Sequence, residues 1–175
     1  MAHTYFFMKK TKITKKKRYF EKQRNAECAK HSVNNVLGEQ LLTTKDMIEA
    51  AEKVNTDWND YVEKTGFTSG NIDSGWWSDV QQEALQKKGF IRRKLNGKKR
   101  LRRMLQSNDK YIIKYHTTDH LTEHYIGVDC SVEPKLILDS ELKEPIPFKE
   151  PQDIINHVKD TSSISRIYIL EHVNK

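Results

Sequence analysis

Cys28-Ala29-Lys30-His31-Ser32-Val33-Asn34-Asn35-Val36-Leu37-Gly38 is the stretch on which the fold of this chain turns. It reads as a helix of about ten residues that begins at Cys28 and stops at Gly38, glycine being a common helix-ending residue. On its C-terminal side, Thr44 caps a second helix over 45–54, where Met47, Ile48 and Ala51 fall at helical spacing. A turn-rich stretch from Gly66 to Gly75 leads into a helix over 76–88 closed by Gly89. The pattern then changes. A short strand over 90–95 and a basic helix over 98–106 precede strands over 111–115, 124–129 and 135–139, where apolar and β-branched residues cluster. A late helix over 151–158 and a strand over 165–171 close the series. Helices come first and strands later, which predicts an α+β fold rather than alternating α/β.

The 175 residues suit one domain with a sizeable core. A mean hydropathy of −0.81 and the lack of a long apolar run point to a soluble protein with no membrane span. The N-terminus opens with Tyr5-Phe6-Phe7-Met8 and then turns basic, the reverse of a secretory signal's order. Two cysteines, Cys28 and Cys130, cannot form a disulfide framework and suit a reducing compartment, the cytoplasm or nucleus. The net charge of +7 is unevenly placed. Lys9, Lys10, Lys12, Lys15, Lys16, Lys17 and Arg18 stand together without an acid, and setting those seven aside leaves 24 basic residues against 24 acidic ones. Such a segment repels itself and has little to bury, so 1–18 reads as a disordered extension and 19–175 as the folded domain. A second basic cluster spans 92–103. Either cluster suits a solvated surface, an acidic partner or nucleic acid.

Cys28 is placed where unpaired N–H groups and the helix dipole favour an anion, and so a thiolate. A sulfur there, with a histidine brought near by folding, makes an activated nucleophile. Five residues earlier, Gln23 carries an amide N–H₂ able to donate to an oxyanion at an attacked carbonyl. A free cysteine is also a common core residue, so helix position alone leaves both readings open.

Seven histidines compete for the role of base. His3 lies in the tail, His157 and His172 fall in late elements that read as structural, and His31 reads as a packed, hydrogen-bonded helix residue. His116, His120 and His124 remain. His124 opens one strand and Asp139 ends another. If these strands are antiparallel neighbours, Asp139 can hydrogen-bond the imidazole and stabilise its charged form. A strand-end aspartate facing solvent is the alternative. His116, His120 and His124 also recur every four residues, as zinc ligands on a helix do. Their strand-like and turn-like surroundings oppose that reading, and no metal or cofactor is expected.

Taken together these residues resemble the Josephin family. Glu21-Lys22-Gln23 followed by Cys28-Ala29-Lys30-His31-Ser32-Val33-Asn34-Asn35 is similar to its opening signature. The likeness continues at Ser69-Gly70-Asn71-Ile72-Asp73, Ala84-Leu85 with Lys88-Gly89, His124-Tyr125-Ile126-Gly127-Val128, and Leu138-Asp139-Ser140-Glu141-Leu142-Lys143-Glu144-Pro145. The resemblance implies a papain-like α+β fold, with an N-terminal catalytic helix and further helices on an antiparallel sheet. It implies a thiol deubiquitinase acting after the C-terminal glycine of ubiquitin, with ubiquitin or polyubiquitin as partner. The implied roles are Cys28 as nucleophile, His124 as base, Asp139 as its orienting partner and Gln23 as oxyanion donor. Three departures stand out: a short 45–65 arm, a polar helix after Trp77, and Tyr125 where members often have tryptophan. The alternatives are a ubiquitin-binding module with weak catalysis, or a papain-like peptidase or amidase with another substrate.

Overall fold

The computed structural model describes residues 18–23, 27–54, 74–97, 99–117 and 123–173. Along them run α1 (Cys28–Leu37), α2 (Thr44–Lys53), α3 (Ser74–Lys87), β1 (Phe90–Lys94), α4 (Arg100–Leu105), β2 (Lys110–His116), β3 (Glu123–Asp129), β4 (Lys135–Leu138), β5 (Ile146–Phe148), α5 (Pro151–Val158) and β6 (Ile164–His172). The strands form one antiparallel sheet in the order β1-β6-β2-β3-β4-β5. The fold is α+β, as the order of elements predicts. No helix among the described residues is long and apolar enough to cross a membrane.

The central strands carry apolar runs, 111–113 in β2 and 125–128 in β3, because both sheet faces are covered. Ile112, Tyr125 and Leu138 pack with Val33, Val36 and Met47 of α1 and α2 and with Leu85 of α3. Their neighbours Tyr111, Ile113, Ile126 and Val128 point the other way and meet Met104 of α4 and Ile154 and Val158 of α5. The period-2 alternation of a strand thus divides one run of residues between two cores.

α1 lies directly on β3. A Cβ at Gly127 would meet the Ser32 carbonyl oxygen at 2.9 Å and Val36 Cβ at 3.0 Å, so only glycine allows this approach. The helix ends as expected. Gly38 takes φ 78° and its N–H bonds back to the Asn34 carbonyl at 2.9 Å.

Several boundaries move. The cap of α2 is Thr43, not Thr44, because Thr43 and Asp46 complete a reciprocal capping box. The short edge strand β5 escapes sequence reading: three residues with Pro147 at the centre carry little pattern. Asp139 lies just past the end of β4 rather than inside it. Most of the 45–65 arm and the Ser69-Gly70-Asn71-Ile72-Asp73 match lie outside the described residues.

The tail boundary at residue 18 is corrected. Arg18 Nη2 lies 2.6 Å from Asp129 Oδ2, and the same nitrogen donates to the Asn35 and Val36 carbonyls at 3.2 and 3.1 Å. Arg18 is therefore part of the folded domain, while residues 1–17 lie outside the described ones. The second basic cluster is also not one surface. Arg92 turns inward to Gln81, Gln82 and Ser78 and lies over the Tyr168 ring. Arg93 pairs with Glu171, and Arg100 and Arg103 bond the Ile164 and Asn96 carbonyls.

Candidate active site

The polar residues of α1 are the fasteners of the site. Asn34 and Asn35 are fully buried, and a buried amide must find partners. Asn35 exchanges two hydrogen bonds with the Glu21 backbone, at 2.7 and 3.0 Å. Asn34 donates to Glu21 Oε1 at 2.8 Å and exchanges two bonds with the Leu42 backbone. His31 Nδ1 meets the same Glu21 oxygen at 2.7 Å, which bears out the packed-histidine reading. Segment 18–23 is thereby clamped along α1. Its far end is tied to the β4–β5 connection: the Gln23 N–H donates to the Ser140 carbonyl at 2.7 Å, and Ser140 Oγ donates to Gln23 Oε1 at 3.1 Å. With its oxygen so occupied, the amide of Gln23 keeps its N–H₂ end for donation.

Cys28 is the first residue of α1, at the helix end whose dipole favours an anion; the Lys30 and His31 N–H groups close the first turn on the Glu27 carbonyl at 3.0 Å. Beneath it Gln81 of α3, fully buried, donates to the Ala29 carbonyl at 2.6 Å and accepts from Arg92 at 2.7 Å. The polar character of α3, unexplained by sequence, thus supports the start of α1.

His124 enters from β3. Its Nε2 lies 2.9 Å from Asp139 Oδ1, and its ring stands edge-on to Tyr115 with centroids 5.6 Å apart. Burial works to lower the His124 pKa. The Asp139 hydrogen bond, together with hydrogen bonding and Coulomb attraction from Cys28, outweighs burial and lifts it to about 10. Burial likewise works to raise the Asp139 carboxyl, but hydrogen bonds from His124 and His157 hold it well below the usual carboxylate range. The charged imidazole is therefore the favoured form beside Cys28. With Nε2 committed to Asp139, Nδ1 is the nitrogen free to exchange a proton with the thiol. His124 of β3 meets Asp139 at the start of the β4–β5 connection, Cys28 of α1 is near enough to raise the imidazole, and Gln23 is tied beside Asp139 through Ser140.

The other candidates separate. His116 faces Glu123 at 3.8 Å at the end of β2, so His116 and His124 sit on adjacent strands rather than one helix face. His120 lies outside the described residues. Two further residues stand near the imidazole–carboxylate pair, one of them His157, which the sequence reads as structural. His157 Nε2 lies 2.9 Å from Asp139 Oδ2, and Glu141 Oε1 lies 3.6 Å from His124 Nδ1. Glu141 carried a local signal, because continuing the β3–β4 register puts it across from His124. Atoms of His124, Asp139 and Glu141 all fall within 4.8 Å, close enough to gather round a metal. A metal there would have to replace the His124–Asp139 bond.

A pH dependence follows from the raised imidazole. Its stabilisation is fully present below the unfolded value of about 6.5 and is lost as the pH rises through about 10. Thermal denaturation across that interval is expected to show the parent losing more stability than His124→Gln. Parallel profiles for the two proteins would contradict the His124–Asp139 coupling. For Asp139 the sign reverses: its contribution is present above the ordinary carboxylate range and is lost as acid protonates the folded form.

No family model and no curated protein matches the chain. Among solved structures, the crystal structure of Pseudomonas avirulence protein AvrPphB aligns with 87% of this chain and 97% of its own, at 11% identity and a TM-score of 0.42.

Proposed function

We propose that this chain is a cysteine isopeptidase of the Josephin type, papain-like in arrangement, which hydrolyses the bond after the C-terminal glycine of ubiquitin. The observation that supports the reading is the 2.9 Å imidazole–carboxylate bond between His124 and Asp139, with Cys28 near enough to help raise the imidazole. The resemblance in the opening segment supports ubiquitin as the acyl group.

The chemistry follows the thiol template. The Cys28 sulfur attacks the scissile carbonyl carbon, and the N–H₂ of Gln23 donates to the oxygen as it becomes anionic. The C–N bond breaks as His124 Nδ1 delivers its proton to the leaving amine, which leaves a thioester on Cys28. Water then attacks the thioester while His124 removes a proton from it. The C–S bond breaks and the sulfur departs as thiolate. Asp139 stays ionised throughout.

Ubiquitin bearing a C-terminal electrophile tests the reading directly. One covalent adduct is expected, lost in Cys28→Ala and kept in Cys130→Ala. Cys130 is a poor competitor because it is 1% exposed and burial pushes its thiol up to about 11. Absence of labelling, or labelling at Cys130, would overturn the assignment.

A further inference from the structure

We propose that His157 is a positioning residue of this centre, holding the Asp139 carboxylate in the one orientation that serves His124. Cys28 and His124 are taken as the reacting pair, as argued above. Asp139 is 3% exposed and its two carboxylate oxygens are divided. Oδ1 accepts from His124 Nε2 at 2.9 Å and from the Glu141 N–H at 3.0 Å, while Oδ2 accepts from His157 Nε2 at 2.9 Å. A carboxylate turns about its Cβ–Cγ bond at little cost unless both ends are held. His157 holds the second end.

This arrangement also gives a reason for aspartate at position 139. Two ring N–H donors and one backbone N–H converge on it, and an asparagine has only one oxygen to offer them. His157 is well placed to act as a fixed point. It lies in the last turn of α5, whose start is secured by Pro151 and the Glu150–Asp153 capping box. Ile154 and Val158 of the same helix are buried in the core under the sheet. The helix therefore cannot shift without opening that core, and the imidazole it carries is as stationary as the strand that carries His124.

A cavity of about 330 Å³ borders the pair. Its wall is shared by His157, Tyr115 of β2, Glu141 of the β4–β5 connection and Lys159 at the end of α5. His124 of β3 shares the carboxylate, and α4, packed on α5, carries Arg100, Arg102 and Arg103.

Alkylation of Cys28 by iodoacetamide tests the role without assuming a substrate. The full chain is used and the adduct is located by peptide mass. His157→Ala is expected to slow alkylation at about pH 6 several-fold relative to that at about pH 8.5, because a less well held Asp139 supports the charged form of His124 beside Cys28 less well. With a ubiquitin C-terminal reporter, kcat should fall roughly tenfold with KM unchanged, the mark of lost alignment. His157→Gln supplies an amide N–H in place of Nε2–H and should recover both readouts. His157→Phe, which fills the space without a donor, should not; it replaces the alanine variant if that fails to fold. Parent-like alkylation and kcat in both Ala and Phe, or equal losses in Gln and Phe, would overturn the proposal. Should the parent not cleave the reporter while the alkylation pattern holds, the deubiquitinase reading falls and the positioning role of His157 stands.

Discussion

Substitution of His124 by alanine is expected to lower kcat on a ubiquitin C-terminal reporter by about 10³-fold, within the usual range for removing a general acid–base. Both half-reactions pass a proton through this ring, so neither can bypass it. The loss should appear in kcat more than in KM, since His124 acts on the reacting atoms rather than on remote binding. Folding should survive, because Asp139 keeps its bonds to His157 and to the Glu141 N–H. A thermal melt of the variant verifies this. His116→Ala is the control: His116 sits at the end of β2 beside Glu123 and is expected to cost little activity. A larger loss in His116→Ala than in His124→Ala would remove His124 from the mechanism.

The second large effect is on stability. Arg18→Ala should destabilise the protein by about 3 kcal/mol or more, read from urea denaturation, because it strands a buried charge. Asp129 is 0% exposed, and its Oδ2 faces the Arg18 guanidinium. Its other oxygen accepts from the Ser131 N–H and hydroxyl at 2.9 and 2.5 Å. The same guanidinium closes the last turn of α1 through the Asn35 and Val36 carbonyls, so the variant also frees two helix-end acceptors. Adding Asp129→Asn to Arg18→Ala should return part of the loss, since a neutral amide costs less to bury than an unpaired carboxylate. Deleting residues 1–17, which spares Arg18, should cost much less than the single substitution. Parent-like stability in Arg18→Ala would show that the ion pair contributes nothing to the fold.

The fate of Arg18 shows where reading the chain by composition fails. In sequence it is the last of seven basic residues, and a run of like charge reads as solvated. Its side chain is instead drawn inward by a carboxylate 111 positions away, where α1 and β3 lie together at Gly127. His157 was set aside for the same reason. Its helix is legible from Pro151 onward, but nothing within that helix indicates a carboxylate eighteen residues back in the chain.

The features legible in the residues alone are local. Helix α1, its stop at Gly38 and Cys28 at its start depend on hydrogen bonds between near neighbours, and the runs of β2 and β3 show as clusters of apolar and β-branched residues. The pairing of His124 with Asp139 was nearly as accessible, because β3 and β4 form an antiparallel hairpin whose register follows from alternation. Long-range packing sets which side chains share the Asp139 carboxylate, which cation reaches Asp129, and why a glutamine is buried against the Ala29 carbonyl. Those answers depend on how α1, α3 and α5 settle against the two faces of the sheet. Once packing has excluded water, most buried polar atoms take partners from whatever groups are then within reach.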